Sequence, residues 1–190
     1  MDSWYIITGL GNPGDKYHGT RHNMGYDAVD RIVGEYRVPQ SGVKFHAMVG
    51  SFSAEGNRIL LMKPLTYMNL SGTAVQEALH FYKLDPKTGL IVISDDVALP
   101  PGKIRIRKSG SSGGQKGLEH IIRCTGTDEF VRIRVGVGQK PPEWDMADWV
   151  LSRPSAEERK LIDDALDRAA KAAVMCITDG VDAAMNRYNG

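Results

Sequence analysis

The chain has no apolar run near the roughly 20 residues that cross a bilayer. Close to its N-terminus only Trp4-Tyr5-Ile6-Ile7 is apolar, and Asp2 stands where a signal peptide would carry a basic cluster, so no leader is expected. Cysteine is scarce. Cys124 and Cys176 lie far apart on predicted helices and read as buried thiols of a reducing compartment rather than a disulfide or metal pair. A cytoplasmic location without membrane contact is the expectation. The net charge is only +1, which argues against indiscriminate coating of nucleic acid but leaves room for a local basic patch. Internal repeats and low-complexity tracts are also missing. What is present, 42% hydrophobic and 25% charged residues over 190 positions, suits a globular chain able to bury one good core.

The longest feature without helix or strand periodicity runs from Gly9 to Gly25, directly after the apolar residues 4–8 that read as a buried first strand. It crowds two asparagines, an arginine and two histidines into one connection, and connections of that length tend to carry function. A helix follows, with Tyr26, Val29, Ile32, Val33 and Tyr36 at three- and four-residue spacing. The segment from Val38 to Gly42 breaks it. Residues 45–53 and 58–63 make a hairpin around Ala54-Glu55-Gly56-Asn57. A second helix carries Ala74, Val75, Ala78, Leu79 and Tyr82, with Asn69 or Ser71 placed to cap it. Leu90-Ile91-Val92-Ile93 reads as a central strand covered on both faces. Residues 103–108 alternate basic and apolar, a glycine-rich loop follows from Gly110 to Gly117, and a helix then bears Leu118, Ile121 and Ile122. Phe130 to Gly138 is a further strand. Ser155 and Glu158 form a capping box for a long helix whose apolar face runs from Leu161 to Ile177. Strands alternating with helices predict one three-layer α/β domain over residues 1–190, with a mixed, largely parallel twisted sheet flanked by helices.

Three short motifs lead nowhere. Gly9, Gly11 and Gly14 match the dinucleotide fingerprint, but Pro13 removes an amide and no helical period begins at Lys16. Gly110-Ser111-Ser112-Gly113-Gly114 matches the esterase elbow, yet no histidine follows His120, only two helical turns after Ser112. His18 and His22 are spaced like a zinc pair, but Gly19 interrupts the helix that spacing needs and a third ligand is not apparent. Neither metal nor cofactor is expected.

Loops at the carboxyl ends of parallel strands converge on one rim. That rule gathers Asn12 and His22 with Asp95, and Asn69 can join them. A neutral imidazole beside a carboxylate and primary amides makes a coherent hydrolytic site: the histidine draws a proton from water, the carboxylate sets its tautomer, and the amides hold a carbonyl or its oxyanion. The bland alternative, in which His22 merely caps a helix and Asp95 ends a strand, carries equal weight on chemistry alone. A second group is basic. Lys103, Arg105 and Arg107 share one strand face, Arg132 and Arg134 repeat the device around Ile133, and Lys108 and Lys116 bracket the glycine loop. With Tyr17 and Tyr67 as stacking platforms, this pattern favours RNA over a plain solvated face.

Gly-Leu-Gly-Asn-Pro-Gly from Gly9, Thr-Arg-His-Asn from Thr20, Pro-Leu-Thr-Tyr-Met-Asn-Leu-Ser-Gly from Pro64, Asp-Asp-Val-Ala-Leu-Pro-Pro-Gly from Asp95 and Gly-Gly-Gln-Lys-Gly-Leu from Gly113 together resemble the bacterial-type peptidyl-tRNA hydrolases. The resemblance spans nearly the whole chain in motif order. It implies hydrolysis of the ester joining a peptide to the 3′ ribose of tRNA, recycling tRNA from stalled translation, without a metal. A monomer with no obligate protein partner is the expectation. It also implies roles. His22 is the base, Asp95 its stabiliser, and Asn12 the sensor of the blocked peptide amide. Tyr17, Tyr67 and Asn69 line the site, Arg107 and Arg134 grip the terminal 5′ phosphate, and the 140–152 region walls the site. The glycine loop departs from the family, with Gln115-Lys116 in place of the common His-Asn. Lys116 can donate a hydrogen bond to a carbonyl or phosphate but cannot accept one. The alternative is a non-catalytic RNA-binding relative, which would need neither a base nor its acid.

Overall fold

Four apolar runs become the parallel centre of a seven-stranded sheet. A computed structural model describes residues 3–189; Met1, Asp2 and Gly190, the ends of the expected domain, lie outside the described residues. The strands are β1 (Trp4–Gly9), β2 (Gln40–Lys44), β3 (Ala47–Ala54), β4 (Asn57–Pro64), β5 (Leu90–Asp96), β6 (Ile104–Arg107) and β7 (Val131–Gly136), in the order β2-β3-β4-β1-β5-β7-β6. β4, β1, β5 and β7 run parallel, while β2, β3 and β6 are antiparallel to their neighbours. The helices are α1 (Met24–Tyr36), α2 (Ser71–Tyr82), α3 (Pro86–Gly89), α4 (Lys116–Thr125), α5 (Met146–Val150), α6 (Ala156–Thr178) and α7 (Val181–Tyr188).

Side chains alternate across each strand, so the sheet buries two apolar layers. Ile7, Ile59, Ile93 and Ile133 face α1 and α6 with Ile32, Leu166 and Ala169. Ile6, Leu60, Val92 and Phe130 face α2 and α4 with Val75, Ala78, Leu118 and Ile121. The expected three-layer α/β arrangement is present, and among the described residues no helix is long and apolar enough to cross a membrane.

Several local expectations change. Gln40–Lys44, whose first three residues fall in the break expected from Val38 to Gly42, is an edge strand with a register shift against β3; four of its five residues are exposed, so no apolar alternation announced it. Neither Asn69 nor Ser71 caps α2. A 3-10 turn over Met68–Leu70 leads into that helix, and the Ser71 hydroxyl donates to the Met68 carbonyl instead. The Ser155–Glu158 capping box is formed, but Leu161 is exposed on α6. Arg132 departs furthest from the basic stripe. It is 0% exposed, and its guanidinium donates to the carbonyls of Gly110, Ser111, Asp128 and Phe130. Burial depresses its pKa to about 10, with the neighbouring Arg134 charge acting in the same direction. Arg132 therefore ties the glycine loop to the sheet rather than presenting a charge to solvent.

The first loop closes on the sheet through a glycine pair. A Cβ on Gly9 would fall 2.0 Å from the Gly25 carbonyl oxygen, and one on Gly25 would fall 2.3 Å from both the Ile93 oxygen and the Leu10 nitrogen. Those neighbours are backbone and cannot turn aside. Gly25→Ala is expected to cost at least about 2–3 kcal/mol in urea unfolding. Gly34→Ala on the same helix, where a Cβ meets nothing within 4 Å, should instead stabilise by about 0.5–1 kcal/mol.

Candidate active site

The glycine contact draws the start of α1 under the end of β1, and β1 pairs with β5, so the loop after β1 lies over the carboxyl end of β5. Arg21, His22 and Asn23 form a buried 3-10 turn there. His22 does not cap α1. Its Nδ1 lies 3.0 Å from Oδ2 of Asp95 at the end of β5, with His22 8% and Asp95 3% exposed. A carboxylate can only accept, so the contact puts the proton on Nδ1 and leaves the lone pair on Nε2. Burial opposes charge on the ring, but the Asp95 charge and hydrogen bond outweigh it, and the His22 pKa is raised above the ordinary 6.5. Asp96, the next residue along β5, turns to Arg134 Nη1 at 3.7 Å.

The pair opens into a cleft of about 630 Å³. Asn12, Tyr17, Tyr67, Asn69, Lys116 and Arg134 all line it. Asn12 is held from two sides. Its Oδ1 accepts from the Met68 backbone N–H at 2.7 Å, and its own backbone exchanges hydrogen bonds of 2.8 and 2.9 Å with the Asn23 side chain. That leaves the Asn12 amide with Nδ2 as the group available to a ligand. Tyr17 and Tyr67 meet edge to face, ring centroids 6.3 Å apart, and Tyr67 holds φ +63, a strained value for a residue with a side chain. Met146, Ala147, Val150 and Leu151 supply an apolar wall from the 140–152 region.

Arg107 is the expected site residue outside this cleft; it is exposed on β6, diagonal to Arg134 on the same sheet face. Arg134 is less free than a phosphate grip requires in isolation, since its Nη2 donates to the Ser111 carbonyl at 2.6 Å. Lys116 reaches Glu119 at 3.9 Å and is otherwise open to solvent. His18 is exposed, and His120 faces away, accepting from the Gly72 N–H.

Sequence reasoning missed the braces. Arg21 gives Nε to the Val137 carbonyl, reaches Ser152, pairs with Glu158 at 3.0 Å and stacks 3.5 Å over Trp149. It joins the first loop to α5 and α6, and only distance in the fold reveals it.

The sequence profile of the family described as Peptidyl-tRNA hydrolase matches residues 6–190. The chain belongs to that family. A peptidyl-tRNA hydrolase of Agathobacter rectalis is 51% identical over 185 residues, covering 97% of this chain and 100% of the relative. One from Lachnospira eligens is 44% identical over 98% of this chain and 100% of its own length. The crystal structure of peptidyl-tRNA hydrolase from Acinetobacter baumannii superposes with a TM-score of 0.92 at 34% identity, covering 100% of this chain and 96% of that one. The peptidyl-tRNA hydrolase fold is thus shown, and hydrolysis of the peptidyl-tRNA ester is the family's reaction.

The geometry makes Asp95 the cause of the raised His22 pKa. Followed by NMR, the His22 ring should titrate above 6.5 in the wild-type protein. In Asp95→Asn the carboxylate charge is lost while burial remains, and the midpoint should fall below that value.

Proposed function

We propose that the chain hydrolyses the ester between a peptide and the 3′ ribose of tRNA with His22 as general base. The observation that carries this reading is a buried imidazole whose Nδ1 is committed to Asp95 while Nε2 keeps its lone pair beside the cleft. Nε2 takes a proton from water as the oxygen attacks the ester carbonyl carbon. Asp95 stabilises the imidazolium that forms, and the Asn12 and Asn69 amides face the developing oxyanion or the peptide carbonyl. Collapse of the tetrahedral intermediate expels the ribose 3′ oxygen, which recovers the proton from His22. The products are a peptide acid and free tRNA. General-base help of this kind is worth roughly 10²–10⁴ in rate.

Selection against ordinary aminoacyl-tRNA rests on Asn12. With Oδ1 engaged by Met68, the amide is a donor and suits the acyl carbonyl that only an N-blocked substrate carries. A free α-ammonium would place donor against donor. Tyr17 and Tyr67 offer ring faces to the unpaired 3′ end, Lys116 meets a carbonyl or phosphate, and Arg107 with Arg134 takes the 5′ phosphate. The protein acts as a single cytoplasmic domain, as a monomer, without metal or cofactor.

His22→Ala should abolish release of tRNA from N-acylaminoacyl-tRNA while tRNA affinity stays within a few-fold; near-normal turnover by that variant sinks the base assignment. Because the base must be neutral and its pKa is raised, the acid limb of kcat/KM should lie above pH 6.5. Arg107→Ala should raise KM at unchanged kcat and lower the salt slope of tRNA binding by about one.

A further inference from the structure

Asp95 has two carboxylate oxygens, and His22 uses one. The other, Oδ1, accepts from Nε2 of Gln115 at 2.9 Å. The same amide works in the opposite sense at its oxygen: Oε1 accepts from the Leu118 backbone N–H at 2.8 Å and caps α4. Nε2 also lies 3.2 Å from Sδ of Met68, whose N–H holds Asn12. One side chain therefore spans the start of α4, the acid beside the base, and the residue that orients Asn12.

We propose that Gln115 is a positioning residue of the reaction, locking the Asp95 carboxylate in the plane that presents Oδ2 to His22. The inference rests on the reading of His22 as base. Three observations support it. Capping alone does not explain a glutamine, because Ser, Asp, Asn and Thr are the preferred N-cap residues and are shorter. The terminal torsion of an aspartate is broad, so a lone bond to His22 leaves the carboxylate free to rock. And Oδ1 has, among the described residues, Gln115 as its side-chain donor.

A neutral donor does this without adding charge to the site. The other titratable or charged groups facing the pair are Tyr17 and Tyr67, Asp96 and Arg134 of β5 and β7, and Lys116 of α4, while Arg21 turns to Glu158.

Gln115→Ser separates the two roles, since serine keeps the α4 cap and cannot reach Asp95. Expected are a kcat about ten-fold lower with KM within two-fold, and a His22 NMR midpoint about half a pH unit lower than in the wild type, because a freed carboxylate presents Oδ2 to the ring less of the time. Gln115→His, which restores an N–H donor, should return kcat to within about three-fold and the midpoint toward the wild-type value. An unchanged His22 midpoint in Gln115→Ser overturns the proposal, as does a loss of kcat that Gln115→His fails to rescue. The NMR arm reads the coupling without turnover. Its failure therefore counts against Gln115 alone, whereas turnover by His22→Ala counts against the base.

Discussion

The contact between His22 Nδ1 and Asp95 Oδ2 constrains most of what surrounds it. It joins residues 73 positions apart, so it exists only because β1 and β5 are neighbours and the first loop folds back over both. That fold-back is a packing problem before it is a chemical one. Gly9 and Gly25 solve it by letting backbone meet backbone where any Cβ would collide. Asn23 and Arg21 then fix the loop on either side of His22, one by pairing with the Asn12 backbone, the other by anchoring to Val137, Ser152 and Glu158. The result is an imidazole held in one tautomer by a buried acid, at the edge of a cleft of about 630 Å³.

The basic residues divide by burial rather than by spacing. Arg105 and Arg107 are exposed on β6, while Arg132, their partner in alternation, is sealed under the glycine loop with its N–H groups on backbone carbonyls. Arg134 is intermediate, lining the cleft while tied to Ser111 and Asp96. A buried guanidinium with every donor directed at a carbonyl is a structural clamp. It holds the loop from which Gln115 and Lys116 project into the cleft, so the same residue type shapes the site from beneath and charges it from above.

Much of this was legible in the chain. The apolar runs 4–8 and 90–93, the hairpin around Gly56, the capping box at Ser155 and the helical spacing after Met24 all report local preferences that the fold obeys. Motif order carried the family, and the carboxyl-end rule gathered Asn12, His22 and Asp95. Less legible were features without a local signature. β2 is an exposed edge strand with no apolar alternation. Leu161 keeps the helical period yet is exposed. Arg132 has the spacing of a surface stripe and the environment of a core residue.

Residue types and their periods determined the elements and the core faces, because those depend on interactions within a few residues, and supplied an imidazole, carboxylates and amides near the strand ends. Which oxygen of Asp95 meets which side chain, which arginine is buried, and that Gln115 rather than a neighbour completes the pair were decided by tertiary structure. These are contacts between distant segments, and a hydrogen bond depends on tenths of an ångström that no spacing along the chain encodes.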